Sequence, residues 1–410
     1  MAYSPKPRKA KSRSRIQQQL TTTKKPSRKQ IAPAKKPSRK QQHVAPDLIS
    51  VLSDCLIIHI LSFLDARYAV RTCILSKRWI NLWKTLPTIV ILNFPNFDDR
   101  KYERFVYQIL SLRDDSTDIH TLQLHPAFME KRSISLVSRI LKYAFSHNVR
   151  SLLLDFETLK PNSFSFSSST LKSLKLTCGD FVFGVNTEFP NSLHFPALTT
   201  LSLSYFTFTS NHDGCAEPFS TFNMLTTLII NQCVVLNEKN LCISNTRLES
   251  LSITMHRHNY PGTLFKIELC APNLHTFSYI GNHISKLVGS KSIFSSIKQL
   301  IINVRCFDMY VGYSPIICNW LDEISNIESL TLDTYTLEVL SCFPDFLKLE
   351  PPSLLNLKSL KIETYRLSDV SEFDRTVDFL LQNSPSAKKN GAKCRDDQSL
   401  WKVTVFFNTK

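Results

Sequence analysis

The apolar positions of this chain follow one short pattern for most of its length. From residue 119 onward, an apolar residue, two of any kind, a second apolar residue, one of any kind and a third apolar residue recur ten times. The instances begin at Ile119, Val149, Leu171, Leu198, Leu225, Leu248, Leu274, Ile297, Ile327 and Leu357. The alternation at the end of each instance fits a strand with one buried face, and return at intervals of 22 to 30 residues makes each strand one unit of a stacked array. Two further sets of positions test this. Ten residues after each start, where a unit needs another core side chain, stand Met129, Leu159, Phe181, Phe208, Val235, His258, Ile284, Phe307, Leu337 and Leu367, all apolar but His258. Six residues after each start, where the strand turns to its other face, stand His125, Asp155, Thr177, Ser204, Asn231, Thr254, Ile280, Asn303, Asp333 and Glu363, all polar but Ile280.

The intervals lie around the period of leucine-rich repeats. The Asn or Cys that regular repeats place eight residues after the start occurs only as Cys233 and Asn282, so the expectation is an irregular solenoid. Its parallel strands line the concave face, and helices and loops such as Ile134 to Phe145 and Ile316 to Ile324 form the convex one. The array of about ten units spans 119–370. Residues 88–118 are expected to hold one linker helix, packed through Phe105, Val106, Ile109, Leu110 and Leu112. Residues 371–410 read as a C-terminal cap. It has a helix around Val377, Phe379, Leu380 and Leu381, a break at Asn383-Ser384-Pro385, a polar loop from Ser386 to Ser399 and a last strand from Trp401 to Phe407.

Residues 47–87 carry a different period. Asp54 can cap a helix whose Leu56, Ile57, Ile60, Leu61 and Leu64 share a face, and Asp65 a second with Ala69, Val70, Cys73 and Ile74 on its apolar side. Ser76 can cap a third, in which Trp79, Leu82 and Trp83 fall on one side and leave Lys77, Arg78 and Lys84 to solvent. A unit of about forty residues is marginal for an isolated core. It also has apolar residues to spare, among them Leu48, Ile49, Leu52 and Ile58. Such a surplus marks a partner surface, although packing against the next domain would use it equally well.

The order D-L-I-S-x-L-S-D-x-L-I-x-x-I-L-S-F-L, followed by A-V-R-T-C-I-L-S-K-R-W-x-x-L-W, resembles the F-box of plant proteins that join it to leucine-rich repeats and an FBD-type C-terminal region. The end of that stretch, Leu75 to Trp83, is its most specific part. The resemblance implies a substrate receptor of an SCF-type cullin-RING ubiquitin ligase. It also implies a fold of class α/β, a small helical F-box module followed by an irregular leucine-rich-repeat solenoid. The F-box would bind a Skp-family adaptor, and through it a cullin, by Leu48, Ile49, Leu52, Ser53, Leu56, Ile60, Leu61, Leu64, Val70, Leu75 and Trp79. The open face of the repeats would meet a substrate protein through His125, Asp155, Lys175, Asn231, Thr254, Asn303, Asp333, Lys361 and Glu363. The family has Leu-Pro-Asp or Leu-Pro-Glu where this chain has Leu52, Ser53 and Asp54. The missing proline leaves the turn into the first helix freer.

Charge narrows the alternatives. The formal net charge is +16, but 14 of the 50 Lys and Arg lie in residues 1–46, which hold no acid, and the other 36 face 34 acidic residues. The basicity belongs to this tail, which is poor in apolar residues, predicted to be disordered, and repeats KKPSRKQ at Lys24 and Lys35. It suits nuclear import or nonspecific nucleic-acid contact, and the expected location is nucleus and/or cytoplasm. A scaffold without ligase assembly and a nucleic-acid-associated protein are the competing functions. No apolar run reaches the roughly 18 residues of a membrane span. Eleven cysteines without CxxC spacing fit a reducing compartment and no disulfide framework or metal centre. Gly289-Ser290-Lys291-Ser292 reads as a turn, and His256-x-His258 has no ligand partners nearby. No catalytic residue and no cofactor are expected.

Overall fold

The computed structural model describes residues 48–92, 99–125, 134–156, 166–178, 187–190, 193–209, 215–236, 240–255, 265–305, 314–341, 352–364, 374–384, 393–396 and 403–408. Contacts divide the chain after Val51. The first unit contributes one described element, the four-residue helix α1 (Leu48–Val51). The second unit holds everything else.

Eleven parallel strands follow one another across a single sheet: β1 (Thr88–Leu92), β2 (Thr121–His125), β3 (Ser151–Phe156), β4 (Ser173–Cys178), β5 (Thr200–Ser204), β6 (Thr227–Asn231), β7 (Ser250–Met255), β8 (Thr276–Gly281), β9 (Gln299–Val304), β10 (Ser329–Asp333) and β11 (Ser359–Thr364). Every expected repeat start lies two residues before its strand. All thirty apolar residues of the ten instances are buried, with Leu176 the most exposed at 8%. The pairing is in register, so Leu122 stands opposite Leu152, Leu152 opposite Leu174 and Leu174 opposite Leu201. The α/β solenoid is therefore as expected. Among the residues ten beyond each start, Phe208, Val235, Ile284 and Leu337 are buried, and the other six lie outside the described residues. Cys233 and Asn282 are buried as well.

The array starts one unit earlier than expected. Leu86, Ile89 and Ile91 repeat the same spacing and are buried, and β1 pairs with β2 along its whole length. The helix expected in this region exists as α4 (Asp99–Leu112), preceded in the F-box segment by α2 (Asp54–Leu61) and α3 (Ala66–Arg71). It is the convex element of the first unit rather than a linker. Tyr102, Val106, Ile109 and Leu110 are buried, Phe105 is half-buried, and Leu112 is turned to solvent.

Unit length decides what forms the convex side. A helix rises about 1.5 Å per residue and a strand about 3.3 Å, so a helical return over the same distance needs roughly twice the residues. Long units contain α4, α5 (Ile134–Ser146), α7 (Ser314–Glu323) and α8 (Thr334–Ser341), whereas a shorter one holds only the six-residue α6 (Lys291–Ser296). The short central units return as strands instead of the expected helices and loops. Thr187–Glu188, Phe206–Phe208 and Val234–Val235 form one parallel sheet, and Cys215–Ala216, Asn240–Ser244, Lys266–Cys270 and Leu287–Gly289 form another.

Both ends are closed. After α9 (Asp374–Leu381) the chain returns as β12 (Lys393–Asp396) and β13 (Val403–Asn408). β13 lies antiparallel against β11, and β12 antiparallel against β13. β12 falls inside the stretch expected to be a polar loop, while Trp401 lies outside the described residues. At the other end α3 packs beside β1. Arg113, just past α4, is buried and donates to the carbonyl oxygens of Leu86 at 2.9 Å, Thr117 at 2.6 Å and Asp118 at 3.1 Å. Replacing Arg113 with Ala strips charge-assisted donors from the buried Leu86 carbonyl and from the part-buried bonds to Thr117 and Asp118, and we expect a loss of about 3 kcal/mol in stability by denaturant unfolding. A loss below about 1 kcal/mol would mean that water replaces the guanidinium freely.

Candidate functional site

The F-box segment is two-sided. On one side Ile57 and Leu61 of α2, Ala66 and Ala69 of α3, and Trp79 and Trp83 are buried as its core. On the other, seven large apolar side chains stand in solvent within 25 residues: Leu56 at 51%, Ile60 at 46%, Phe63 at 75%, Tyr68 at 50%, Ile74 at 86%, Leu75 at 60% and Ile80 at 45% exposure. So dense a set exceeds ordinary surface composition and makes these residues candidates for docking a partner.

Local rules account for both faces. Asp65 caps α3, its carboxylate accepting from the backbone N–H of Arg67 at 2.9 Å and Tyr68 at 3.1 Å. Beyond Arg71 the chain tightens into 3₁₀ turns at Thr72–Ile74, Lys77–Ile80 and Leu82–Thr85 instead of a third α-helix. A 3₁₀ turn advances 120° per residue rather than 100°. Ile74, expected inside, and Ile80 therefore face out, while the two indoles still point inward. Tyr68, Phe63, Ile74 and Ile80 are the docking candidates that an α-helical reading of the spacing misses.

The expected adaptor residues separate accordingly. Leu56, Ile60 and Leu75 are exposed, as is the Ser53 side chain. Leu52, Leu64 and Val70 are half-buried against the core. Leu61 and Trp79 belong to that core and offer no surface. Leu48 and Ile49, on α1 in the first unit, are exposed. The turn without proline is held from a distance. Arg78, expected to be left to solvent, donates Nε to Asp54 Oδ1 at 2.7 Å and Nη2 to the Leu52 carbonyl. Ser53 itself sits at φ −68°, a value that proline would also take.

The concave face carries the residues expected to meet a substrate. His125 Nδ1 and Asp155 Oδ2 are 2.7 Å apart on β2 and β3, each about a third exposed. Lys175 is exposed, Thr254 is half-buried, and Asn231 donates to Ser204 Oγ at 3.4 Å. Asn303 is buried and donates to Glu363 Oε2 at 3.4 Å, and Lys361 pairs with Glu363 at 3.2 Å. From β5 to β8 the positions on this face are uncharged: Ser202, Ser204, Ile229, Asn231, Ser252, Thr254, Ser278 and Ile280. Charges gather towards the two ends.

Asp333 is the exception to its expected role. It is 3% exposed, and its Oδ1 accepts from the N–H of Thr336 at 2.9 Å and from Thr336 Oγ1 at 2.6 Å, capping α8. Arg305 Nε lies 3.7 Å from its other oxygen. Burial pushes this carboxyl above its usual pKa, against the Thr336 bonds and the Arg305 charge. Asp333 serves the fold rather than a ligand. The turn expected at Gly289-Ser290-Lys291-Ser292 is instead a strand-to-helix junction, with Gly289 ending the strand Leu287–Gly289 and Lys291 opening α6, and a Cβ on Gly289 would stand 2.9 Å from the Phe294 ring. Among the described residues one group of metal-type ligands converges, Cys215, Cys242 and Glu268 on the convex side. His256 and His258 lie outside the described residues.

An F-box-like helical module built onto a leucine-rich-repeat-type solenoid is the class that fold and surface define. Residues 49–90 match the F-box domain family. Over most of its length the chain is similar to proteins of the same composite type from Arabidopsis thaliana. One F-box/LRR-repeat protein is 28% identical over 357 residues, covering 84% of this chain and 71% of that protein. Another is 27% identical over 361 residues, covering 83% and 90%. An F-box/FBD/LRR-repeat protein is 31% identical over 183 residues, covering 41% and 39%.

Two substitutions test these local arguments. Ser53→Pro should raise stability by about 0.4–1 kcal/mol through the unfolded chain, read as a higher Tm, and a lower Tm would show that the turn needs the Ser53 N–H. Asp333→Asn keeps an oxygen for Thr336 and removes the buried charge. Because the folded pKa is raised, the wild-type carboxyl favours folding fully only below its unfolded value of about 3.9, and that contribution is lost as pH rises through the folded value. The variant should therefore gain in Tm over wild type at neutral pH and lose this gain towards pH 4. A gain independent of pH would sink the argument.

Proposed function

We propose that this chain is the substrate-recognition subunit of an SCF-type cullin-RING ubiquitin ligase. The exposed apolar face of the F-box docks on a Skp-family adaptor, and through it on a cullin, while the concave face of the solenoid holds a target protein. The observation that carries this reading is the division of the F-box apolar residues. Ile57, Leu61, Trp79 and Trp83 make its core, yet Leu56, Ile60, Phe63, Ile74, Leu75 and Ile80 are left over in solvent. A module that merely packed against its own repeats would not need the second set. The chain itself contributes proximity rather than chemistry, holding the target at high effective concentration near the transfer machinery. The basic tail fits import into the nucleus, where such a receptor would work alongside a cytoplasmic pool.

The test is co-precipitation with a Skp-family adaptor. Leu56→Asp, Ile60→Asp and Leu75→Asp together should abolish capture while leaving Tm within a few degrees of wild type, because all three are exposed. Trp79→Ala should lose capture differently, by unfolding the module, since truncating a buried indole costs about 3–5 kcal/mol. Equal capture by wild type and the triple variant would rule out the adaptor reading and favour a scaffold without ligase assembly.

A further inference from the structure

The convex four-stranded sheet carries a cluster that partner docking does not use. Three of its strands, Cys215–Ala216, Asn240–Ser244 and Lys266–Cys270, run parallel with Cys215 opposite Asn240 and Cys242 opposite Glu268. Leu241, Ile243, Ile267 and Leu269 point into the core with no exposure, so the alternate positions face away from it. Cys242 is nevertheless 6% exposed, and Cys215 and Glu268 are half-buried beside it. Cys242 Sγ lies 3.5 Å from Glu268 Oε2, and the donor atoms of all three residues lie within 4.8 Å of one another.

Contrary to the expectation from cysteine spacing, Cys215 and Cys242 are paired as a disulfide, with their Cα atoms 6.0 Å apart. A disulfide explains two members of the cluster and leaves the third without a purpose. Neither sulfur of a disulfide can donate to Glu268, whose carboxylate gives up hydration at this position without gaining a bond there. Two thiolates and a carboxylate are instead a ligand set for a borderline-soft divalent cation. Around such an ion, with metal–sulfur bonds of about 2.3 Å and metal–oxygen bonds of about 2.0–2.2 Å, tetrahedral ligand atoms sit roughly 3.3–3.8 Å apart. Side-chain rotation alone can bring the three donors to that spacing, because three paired strands fix their backbones.

We propose that, in the reduced protein, Cys215, Cys242 and Glu268 bind a thiophilic divalent cation of the zinc class, with water at the fourth position. A dithiol reductant opens the site: the S–S bond breaks, each sulfur takes up one electron and one proton, and the reductant closes its own disulfide. Cation binding then releases both thiol protons to solvent. The disulfide and the cation-bound dithiolate are mutually exclusive states of one site, and either one ties the two-residue strand Cys215–Ala216 to its neighbour.

The full chain, reduced with a phosphine and desalted without air, should be titrated with cobalt(II) as the probe. A sulfur-to-cobalt charge-transfer band should saturate at one cobalt per chain and vanish on adding one equivalent of zinc. The double variant Cys215→Ser, Cys242→Ser should lose the band with its circular dichroism unchanged. Glu268→Gln, which alters neither size nor core, should weaken cobalt binding by roughly tenfold or more. Cys270→Ser, two residues further along the same strand, should bind as wild type does. Absence of the band in wild type, its survival in the double variant, undiminished affinity in Glu268→Gln, or a disulfide that resists the phosphine would each overturn the proposal.

Discussion

The stacking of one unit's apolar triplet on the next is the constraint from which the remaining architecture follows. Leu122 and Leu124 are buried beside the matching residues of β1 and β3, and the same alignment runs along the array to Leu360 and Ile362. In-register pairing sets neighbouring strands about 4.8 Å apart and aligns the positions between the buried ones into rows on the concave face. It also leaves each unit to span the core and return with whatever residues its interval allows. Helices therefore occupy the longer units, and two short sheets the compressed middle. A chain bound by this rule must solve one further problem, which is how to end.

Much of this was legible in advance, and the reasons are specific. The ten strand starts could be read because burial on one strand face imposes an aliphatic spacing that tolerates few exceptions. The unit at Leu86, Ile89 and Ile91 obeys the same spacing but overlaps the end of the F-box segment, where a helical period competes for the same residues. The convex strands were hidden because segments such as Val234–Val235 are too short to show any alternation. Asp333 fits the open-face pattern by position, yet its side chain turns to cap the helix that begins at the next residue. Only the path of the chain after β10 reveals that.

The docking face shows the same division between local and distant causes. The caps and the inward turn of both tryptophans follow from spacing within a few residues. Arg78 does not, because its partners lie 24 and 26 residues earlier in the chain. Its effect is to restrain by charge and hydrogen bonding a turn that proline restrains covalently. On the concave face, the charges stand towards both ends and the centre carries hydroxyl, amide and aliphatic side chains.

The capping of the solenoid carries a practical consequence. β11 finishes against antiparallel strands, whereas β1 pairs with β2 on one side and has α3 packed beside it, so among the described residues the F-box acts as a lid on its outer row of backbone donors and acceptors. Excising that module is the natural control for the proposed receptor role. Here the cut would bare a strand edge ready to pair with another molecule, and the truncated protein would be a template for aggregation as much as a trap. Silencing the docking face by surface substitutions leaves the lid on.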